Sequence, residues 1–419
     1  STPLYSSAAS DVYKRQDLKD HPRLVIPFLD ENKKMFAFQG RTFGKEQPKY
    51  YTIKLNDTKK IYGLDTVNWS KRVYVVEGPI DSLFVNNCIA TAQSDLRVEK
   101  KNNVTLIPDN EPRNREIVKR IDGIYFGEGP RWHQNKLWFS DMHGHKVCTL
   151  DESDNLEVIC EVENQPSGLG WLPNGDLLIV SMLDRKILKL SNSTLSVHAD
   201  LSEDVKYQCN DMVVSKEGIA YVGNFGMSDA RDKVKNTHLM IVYPNGTIKK
   251  GPNKLAFPNG AVITEDGKQL IVGETLGGRL TSFDIQTDGS LSNRKTWAST
   301  SSQIGMGLIK LIRTLGIKIS ESSSTASNFH IPDGICLDKQ NGIWIASPTS
   351  SSVLRIEKGG KITDVIKTPK SAYACMLGGE DGKTLFIIVA KSSAPEICIQ
   401  SPEGEILSVQ VDIPKAGMP

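Results

Sequence analysis

Asn174-Gly-Asp-Leu-Leu-Ile-Val180 is a turn signal followed by an unbroken apolar run, the pattern of a tight turn feeding a buried β-strand. The pattern recurs as Gln134-Asn-Lys-Leu-Trp-Phe-Ser140, Glu217-Gly-Ile-Ala-Tyr-Val-Gly223, Asp266-Gly-Lys-Gln-Leu-Ile-Val272, Asn341-Gly-Ile-Trp-Ile-Ala346 and Asp381-Gly-Lys-Thr-Leu-Phe-Ile387. In chain order the six copies start 40, 43, 49, 75 and 40 residues apart. A period of about 40 residues with several strand-like segments per copy is the size of one four-stranded propeller blade. The sequence therefore predicts a mainly β chain in which residues 123–419 form a six-bladed β-propeller. The one long interval holds the Ser-rich stretch Ser299–Asn328, which reads as an insertion between two blades. Within it, Ile304, Leu308, Leu311, Ile312, Leu315 and Ile319 share one face of a predicted helix, and Lys310, Arg313 and Lys318 make the rest basic. That helix is expected to be a lid or wall over the channel mouth, with a weak membrane-surface contact by residues 304–319 as the alternative.

Upstream of Gly123 the pattern changes. Strand-like Arg72-Val-Tyr-Val-Val-Glu77 leads into the helix-compatible run Asp81 to Cys88, and strand-like Asn103 to Asp109 leads into the helix-compatible run Arg113 to Ile121. This βαβα order predicts a small α/β unit of a different fold class. Lys+Arg 51 against Asp+Glu 49 leaves a net charge of +2, so charge alone gives no reason to expect nucleic acid or an acidic membrane as partner. No apolar run approaches the roughly 18 residues of a membrane span, and Ser1 to Gln16 lacks the apolar region of a secretory signal, so a cytoplasmic protein is expected. The seven cysteines contain no C-x-x-C pair and read as reduced, mostly buried thiols.

Just ahead of each repeat lies a segment expected to line the channel. Aligned, these segments offer one residue per blade: Glu128, Ser167, Asn210, Asn259, Asp333 and Tyr373. Four of the six are carboxylates or carboxamides, a poor choice for an apolar core and a good one for caging a hard cation. With no Cys or His in the set, oxygen-loving ions such as calcium, magnesium or manganese are favoured over copper or a structural zinc. The competing reading is that Asn-Gly and Asp-Gly merely mark turns. Asn224 and Glu274, in the same region of their blades, are further pocket candidates with Ser167 and Tyr373, while His143 and His145 in a Gly-containing turn read as solvated.

Phe126-Gly-Glu-Gly-Pro-Arg-Trp132, Phe139-Ser-Asp-Met-His-Gly-His145, Asn210-Asp-Met-Val-Val214, Phe257-Pro-Asn-Gly260, Ile331-Pro-Asp-Gly-Ile-Cys336 and Tyr373-Ala-Cys-Met-Leu-Gly-Gly379 resemble the SMP-30/gluconolactonase/LRE family. The resemblance covers essentially all of Gly123 to Pro419. It implies a six-bladed propeller that hydrolyses a small-molecule lactone, with a divalent ion held by Glu128, Asn210, Asn259 and Asp333. Calcium is the expected ion, with magnesium, manganese or zinc as alternatives. Asp333, with Glu128, is the expected catalytic carboxylate. Where some sugar-lactonase members carry a substrate-contacting Arg this chain has Gln208, so the substrate set expected is Gln208, Ser167, Asn224, Glu274 and Tyr373. Related six-bladed phosphotriesterases use a similar site, which makes phosphotriester hydrolysis the alternative activity. Propellers of this type seal the ring with an N-terminal strand, for which Glu116 to Ile121 is the segment adjacent to Gly123.

Arg23-Leu-Val-Ile-Pro-Phe-Leu-Asp30, Ile61-Tyr-Gly-Leu-Asp65, Val76-Glu-Gly-Pro-Ile-Asp81 and Pro108-Asp-Asn-Glu-Pro-Arg113 resemble the catalytic core of DnaG-type and phage primases, including their Toprim unit. The resemblance implies a Toprim-like α/β fragment over residues 22–122, truncated before its closing strand and helix, with Glu77, Asp109 and Glu111 at its metal positions. The truncation implies that this fragment is inactive as a primase, with primase-like activity in a chimeric chain kept as a further alternative. No nucleic-acid partner is expected for the propeller. Residues 1–21 are expected to be a disordered tail, in which Asp11-Val-Tyr-Lys-Arg-Gln16 reads as translated adapter sequence and the two halves as an artificial join.

Overall fold

The computed structural model describes residues 23–42, 50–56, 60–76, 78–91, 104–106, 115–227, 236–301 and 330–419. The chain divides into two compact units, Ser1–Glu111 and Pro112–Pro419. The tail at 1–21, the helix expected at 304–319, and Glu77, Asp109 and Glu111 lie outside the described residues.

Among the described residues the first unit contains two three-stranded sheets. Arg23–Leu29, Met35–Thr42 and Tyr50–Lys54 form an antiparallel meander packed through Phe28, Phe36 and Ala37. In the second sheet Val73–Val76 lies between Cys88–Ala90 and Val104–Leu106, parallel to both. The helix expected over Asp81 to Cys88 is a single 3-10 turn, Asp81–Phe84. Asn87 then takes a left-handed φ of 53°, its amide nitrogen donates to the carbonyls of Asn68 and Arg72, and the chain returns at once to a buried strand.

The second unit is built from six antiparallel four-stranded sheets among the described residues. Each of the first five is a meander of consecutive strands, led by Gly127–His133, Pro166–Trp171, Cys209–Val214, Pro258–Ile263 and Ile335–Leu337. The sixth is led by Ser371–Gly378, continues through Thr384–Ala390 and Gly404–Gln410, and takes its fourth strand, Val118–Ile124, from the far end of the unit's sequence. The run Arg113 to Ile121, read as helix-compatible, thus ends in a strand. Its apolar side chains suit either element, and pairing with Gly404–Gln410, some 285 residues away, decides for the strand.

Every repeat noted in the sequence becomes the second strand of a sheet, and the turn before it holds a residue with positive φ: Asn135, Gly175, Gly218, Gly267, Asn341 or Gly382. Glycine and asparagine reach that region at little steric cost, which is why the repeat announces itself by those residues. Burial falls from the leading strand outward: Cys209–Val214 and Pro258–Ile263 are buried throughout, whereas the fourth strands Leu156–Glu161 and Thr194–Asp200 are largely exposed. Leading strands touch in the cyclic order of the sheets, the sixth returning to the first. The apolar core accordingly sits between neighbouring sheets, with Leu137, Phe139, Trp344 and Ile387 in one cluster and Val213, Tyr221, Ile263 and Phe283 in another. A mainly β unit of radially neighbouring four-stranded sheets is consistent with a propeller. All seven cysteines are unpaired and six are buried, as expected. No helix among the described residues is long and apolar enough to cross a membrane.

Candidate functional site

The residues singled out ahead of each repeat occupy one structural position. Five leading strands carry a register shift there, between Glu128 and Arg131, Pro166 and Leu169, Cys209 and Met212, Pro258 and Ala261, and Ala372 and Ala374. A bulge re-aims the side chain at the irregularity, so Ser167, Asn210, Asn259 and Tyr373 leave the ladder's regular alternation, and Glu128, still paired with Ser140, borders it. Asp333 precedes the fifth leading strand, its N–H bonded to the Ala346 carbonyl at 3.0 Å. The glycines that follow four of these residues are close-approach positions, not turns. A Cβ on Gly260 would lie 2.6 Å from the Asp333 carbonyl oxygen, and one on Gly168 2.3 Å from the Met212 nitrogen. The turn reading of Asn-Gly and Asp-Gly is thereby replaced.

Glu128, Asn210, Asn259 and Asp333 are all buried. Asn259 Nδ2 donates to Asp333 Oδ1 and, at 3.2 Å, to Thr275 Oγ1. Glu128 accepts from the Gly129 N–H at 3.3 Å, and among the described residues neither it nor Asp333 forms an ion pair, the Arg131 guanidinium being paired with Asp211. Burial first, then repulsion from Asp333 and Asp211, holds the Glu128 carboxyl well above the usual range. Burial pushes Asp333 up to about 8, against the Asn259 hydrogen bond, with Asp211 adding to the rise. These carboxyls are in electrostatic contact, and the Arg131 charge offsets the rise at Glu128 only weakly. Two further signs point the same way: Asn210 Nδ2 and Ser167 Oγ are buried without a hydrogen-bond partner. A half-turn of the Asn210 carboxamide would present Oδ1 in place of Nδ2. Two carboxylates and two carboxamides fit a hard divalent ion. Among the described residues no three His, Cys, Asp or Glu gather as a metal cluster, as expected of a set with only two carboxylates.

The remaining expected residues divide. Gln208 Oε1 is buried without a partner, and Tyr373 is buried edge-on to Phe126 at 4.8 Å. Asn224 is consumed by its own sheet: Nδ2 donates to the His238 carbonyl and Oδ1 accepts from Thr237 Oγ1. Glu274 is fully buried, with its oxygens taken by Arg279, Arg294, Thr281 and the Ala256 N–H. Both have the surroundings of structural groups rather than of substrate contacts. His143 is buried, not solvated; its Nε2 lies 3.2 Å from the Ser393 carbonyl, its Nδ1 3.3 Å from Gln165 Nε2, and its ring 5.4 Å from that of Phe126. Sequence reasoning missed Arg131 and Asp211, a buried ion pair at 2.6 Å beside Glu128 and Asn210. The signal available was their place shortly after the candidate ligands, three residues on in Glu128-Gly-Pro-Arg131 and one in Asn210-Asp211.

A ring of four-stranded sheets with buried, uncompensated acid and amide groups on its leading strands defines a β-rich protein with an oxygen-lined site. Residues 126–391 match the model of the SMP-30/Gluconolactonase/LRE-like region, and the chain belongs to that family. Regucalcin of Xenopus laevis is 25% identical over 273 residues, 63% of this chain and 83% of the relative. The crystal structure of a calcium-binding protein, regucalcin, from Agrobacterium tumefaciens strain C58 superposes with a TM-score of 0.57 at 17% identity, over 74% of this chain and 97% of that one. A DNA primase of Enterobacteria phage T4 is 42% identical over 123 residues, 28% of this chain and 35% of the primase, so this chain spans about a third of that protein's length.

Proposed function

We propose that residues 112–419 form a six-bladed β-propeller that hydrolyses a lactone with a divalent cation held by Glu128, Asn210, Asn259 and Asp333. The observation that carries this reading is the pair of buried carboxyls, Glu128 and Asp333, neither in an ion pair among the described residues, on bulged or strand-leading positions shared with two carboxamides. Six sheets with leading strands adjacent in cyclic order support the blade count. The family assignment supports a metal-dependent hydrolase of lactonase type, and the calcium-binding relative supports calcium as the ion.

A divalent ion, when bound, supplies a positive field that polarises the lactone carbonyl and stabilises the developing oxyanion. The chain's own groups do the rest. Asn259 donates to Asp333 Oδ1, whose second lone pair would remain for the ion, and Oδ2 is left to take the proton of the attacking water. Water oxygen bonds to the carbonyl carbon, the ring C–O bond breaks, and the proton passes to the departing alkoxide, giving a hydroxy acid. Glu128 and Asn210 hold position, Ser167 and Gln208 keep buried polar atoms without a partner, and these two with Tyr373 are the groups assigned to meet the substrate. No function is proposed for the first unit. The test is a pH-stat panel of lactones and phosphotriesters on the full chain with and without chelator: chelator-sensitive lactone turnover supports the reading, phosphotriester turnover alone replaces the substrate class, and turnover unaffected by chelator overturns it.

A further inference from the structure

A third acidic group acts electrostatically on the two carboxyls of the candidate ligand set. Asp211 follows Asn210 directly, and its charge acts on both Glu128 and Asp333. Unlike those two it has a cationic partner among the described residues. Arg131 Nη2 donates to Asp211 Oδ1 at 2.6 Å, and the Met212 N–H donates to the same oxygen at 2.8 Å. The rest of the guanidinium is committed as well: Nε to the Leu169 carbonyl at 2.9 Å, Nη1 to the Pro130 carbonyl at 2.8 Å, and Nη2 also to the Met212 carbonyl. One side chain thus joins the leading strands of the first three sheets beside their bulges. Arg131 and Asp211 are 4% and 5% exposed, so their charges are little screened by water. Gly168 makes room for the pair, since a Cβ there would lie 2.8 Å from Asp211 Oδ1.

We infer that Arg131 sets the cation selectivity of the site: by neutralising Asp211 it leaves two uncompensated carboxylates, which matches a divalent ion and disfavours a trivalent one. This rests on the ion site proposed above. The charge count is the argument. Three carboxylates less one guanidinium leave two negative charges, and the excess decides which ion leaves the cage neutral. Arg131→Met raises the excess to three, and Asp211→Asn lowers it to one. The double variant restores two without a guanidinium, and Arg131→Lys keeps the charge while losing the fork. Arg131 is a positioning and selectivity residue in this account; it touches no reacting atom.

The experiment measures calcium affinity by calorimetry and terbium affinity by sensitised luminescence on the full chain and the four variants. The readout is the terbium-to-calcium affinity ratio relative to wild type. Expected is a rise of about tenfold or more for Arg131→Met and a comparable fall for Asp211→Asn, with Arg131→Lys and the double variant within about threefold of wild type. A purely structural role would weaken both ions together and leave the ratio unmoved. If Arg131→Met does not fold, Asp211→Asn and the double variant carry the test. Calcium binding by wild type with a flat ratio across the folded variants overturns this inference alone, whereas absence of binding by wild type overturns the ion site and the inference with it.

Discussion

Asp333 is a buried carboxyl with one hydrogen bond from Asn259 and repulsion from Asp211, a setting that favours its protonated form unless a cation is present. The linkage sign follows. The folded-state value of about 8 lies above the unfolded value near 3.8, so the folded protein holds a proton that the unfolded chain releases. In chelator, this group's contribution to stability is fully present below about pH 4 and falls by about 1.4 kcal/mol per pH unit until it levels off near pH 8. Melting of the chelated protein should therefore drop between pH 5 and pH 8 more steeply for wild type than for Asp333→Asn, and saturating calcium should reduce the difference; parallel curves would refute the perturbed carboxyl. The two neighbours of the shared hydrogen bond should also separate in function. Asp333→Ala should lower lactone kcat by about 10²–10⁴-fold, the range for a lost general base. Asn259→Ala should instead act mainly through calcium binding, weakened by at least about 10–100-fold, the range for losing even an outer-shell group. Equal effects of both on calcium binding, with kcat restored at saturating ion, would remove the base role from Asp333.

The bulge is the element that converts a repeat into a site. Gly260 follows Asn259 where the fourth and fifth leading strands meet, and an added Cβ would press on backbone at 2.6 Å on two sides, the Asp333 oxygen and the Ile335 nitrogen. Gly260→Ala should destabilise by about 1–3 kcal/mol and weaken calcium binding, because the strand carrying Asp333 has to move. Gly175→Ala is the control: with φ at 91° and open space around the new methyl, it should lower melting by about 1 kcal/mol equivalent and leave calcium binding alone. Identical binding by both variants would detach the bulge from the site. This element also marks how far the sequence could be read. The hairpin turns were legible because a positive φ demands Gly or Asn locally, and the six repeats fell on the second strands of the sheets. The role of Gly129, Gly168, Gly260 and Gly334 was not legible, because what excludes a Cβ there is the next sheet's backbone, distant in sequence. For the same reason Asn224 and Glu274 looked available: Thr237, Arg279 and Arg294, which saturate them, lie 5 to 20 residues further on, beyond the reach of a motif.

At the scale of the whole propeller unit, two terminal segments hold the sheets together. Residues after Val411 run back across the far ends of the fifth and fourth sheets, with Ala416 N–H bonded to the Leu337 carbonyl at 3.0 Å and Met418 exchanging bonds with Ile263 at 2.7 and 2.9 Å. Asn259 lies near the start of the strand that Ile263 ends, so this strap is remote from the candidate ligands. The other segment closes the ring. Val118–Ile124 pairs with Gly404–Gln410, while Arg115 reaches Asp364 of the fifth sheet at 2.6 Å and Arg120 reaches Asp154 of the first at 2.5 Å. Asp154 is exposed, so that ion pair contributes little by itself; the strand pairing is what the edge of the sixth sheet requires. A chain starting at Pro112 should therefore melt close to the full-length protein's second unit, and one starting at Tyr125 should melt about 10 °C or more lower, because it uncovers a full strand edge between two cores. Both should be compared by calorimetry with calcium present and absent. Coincident melting of the two would show that three strands complete the sixth sheet unaided; a loss confined to the shorter chain assigns Val118–Ile124 to the propeller unit rather than to the primase-like segment before it.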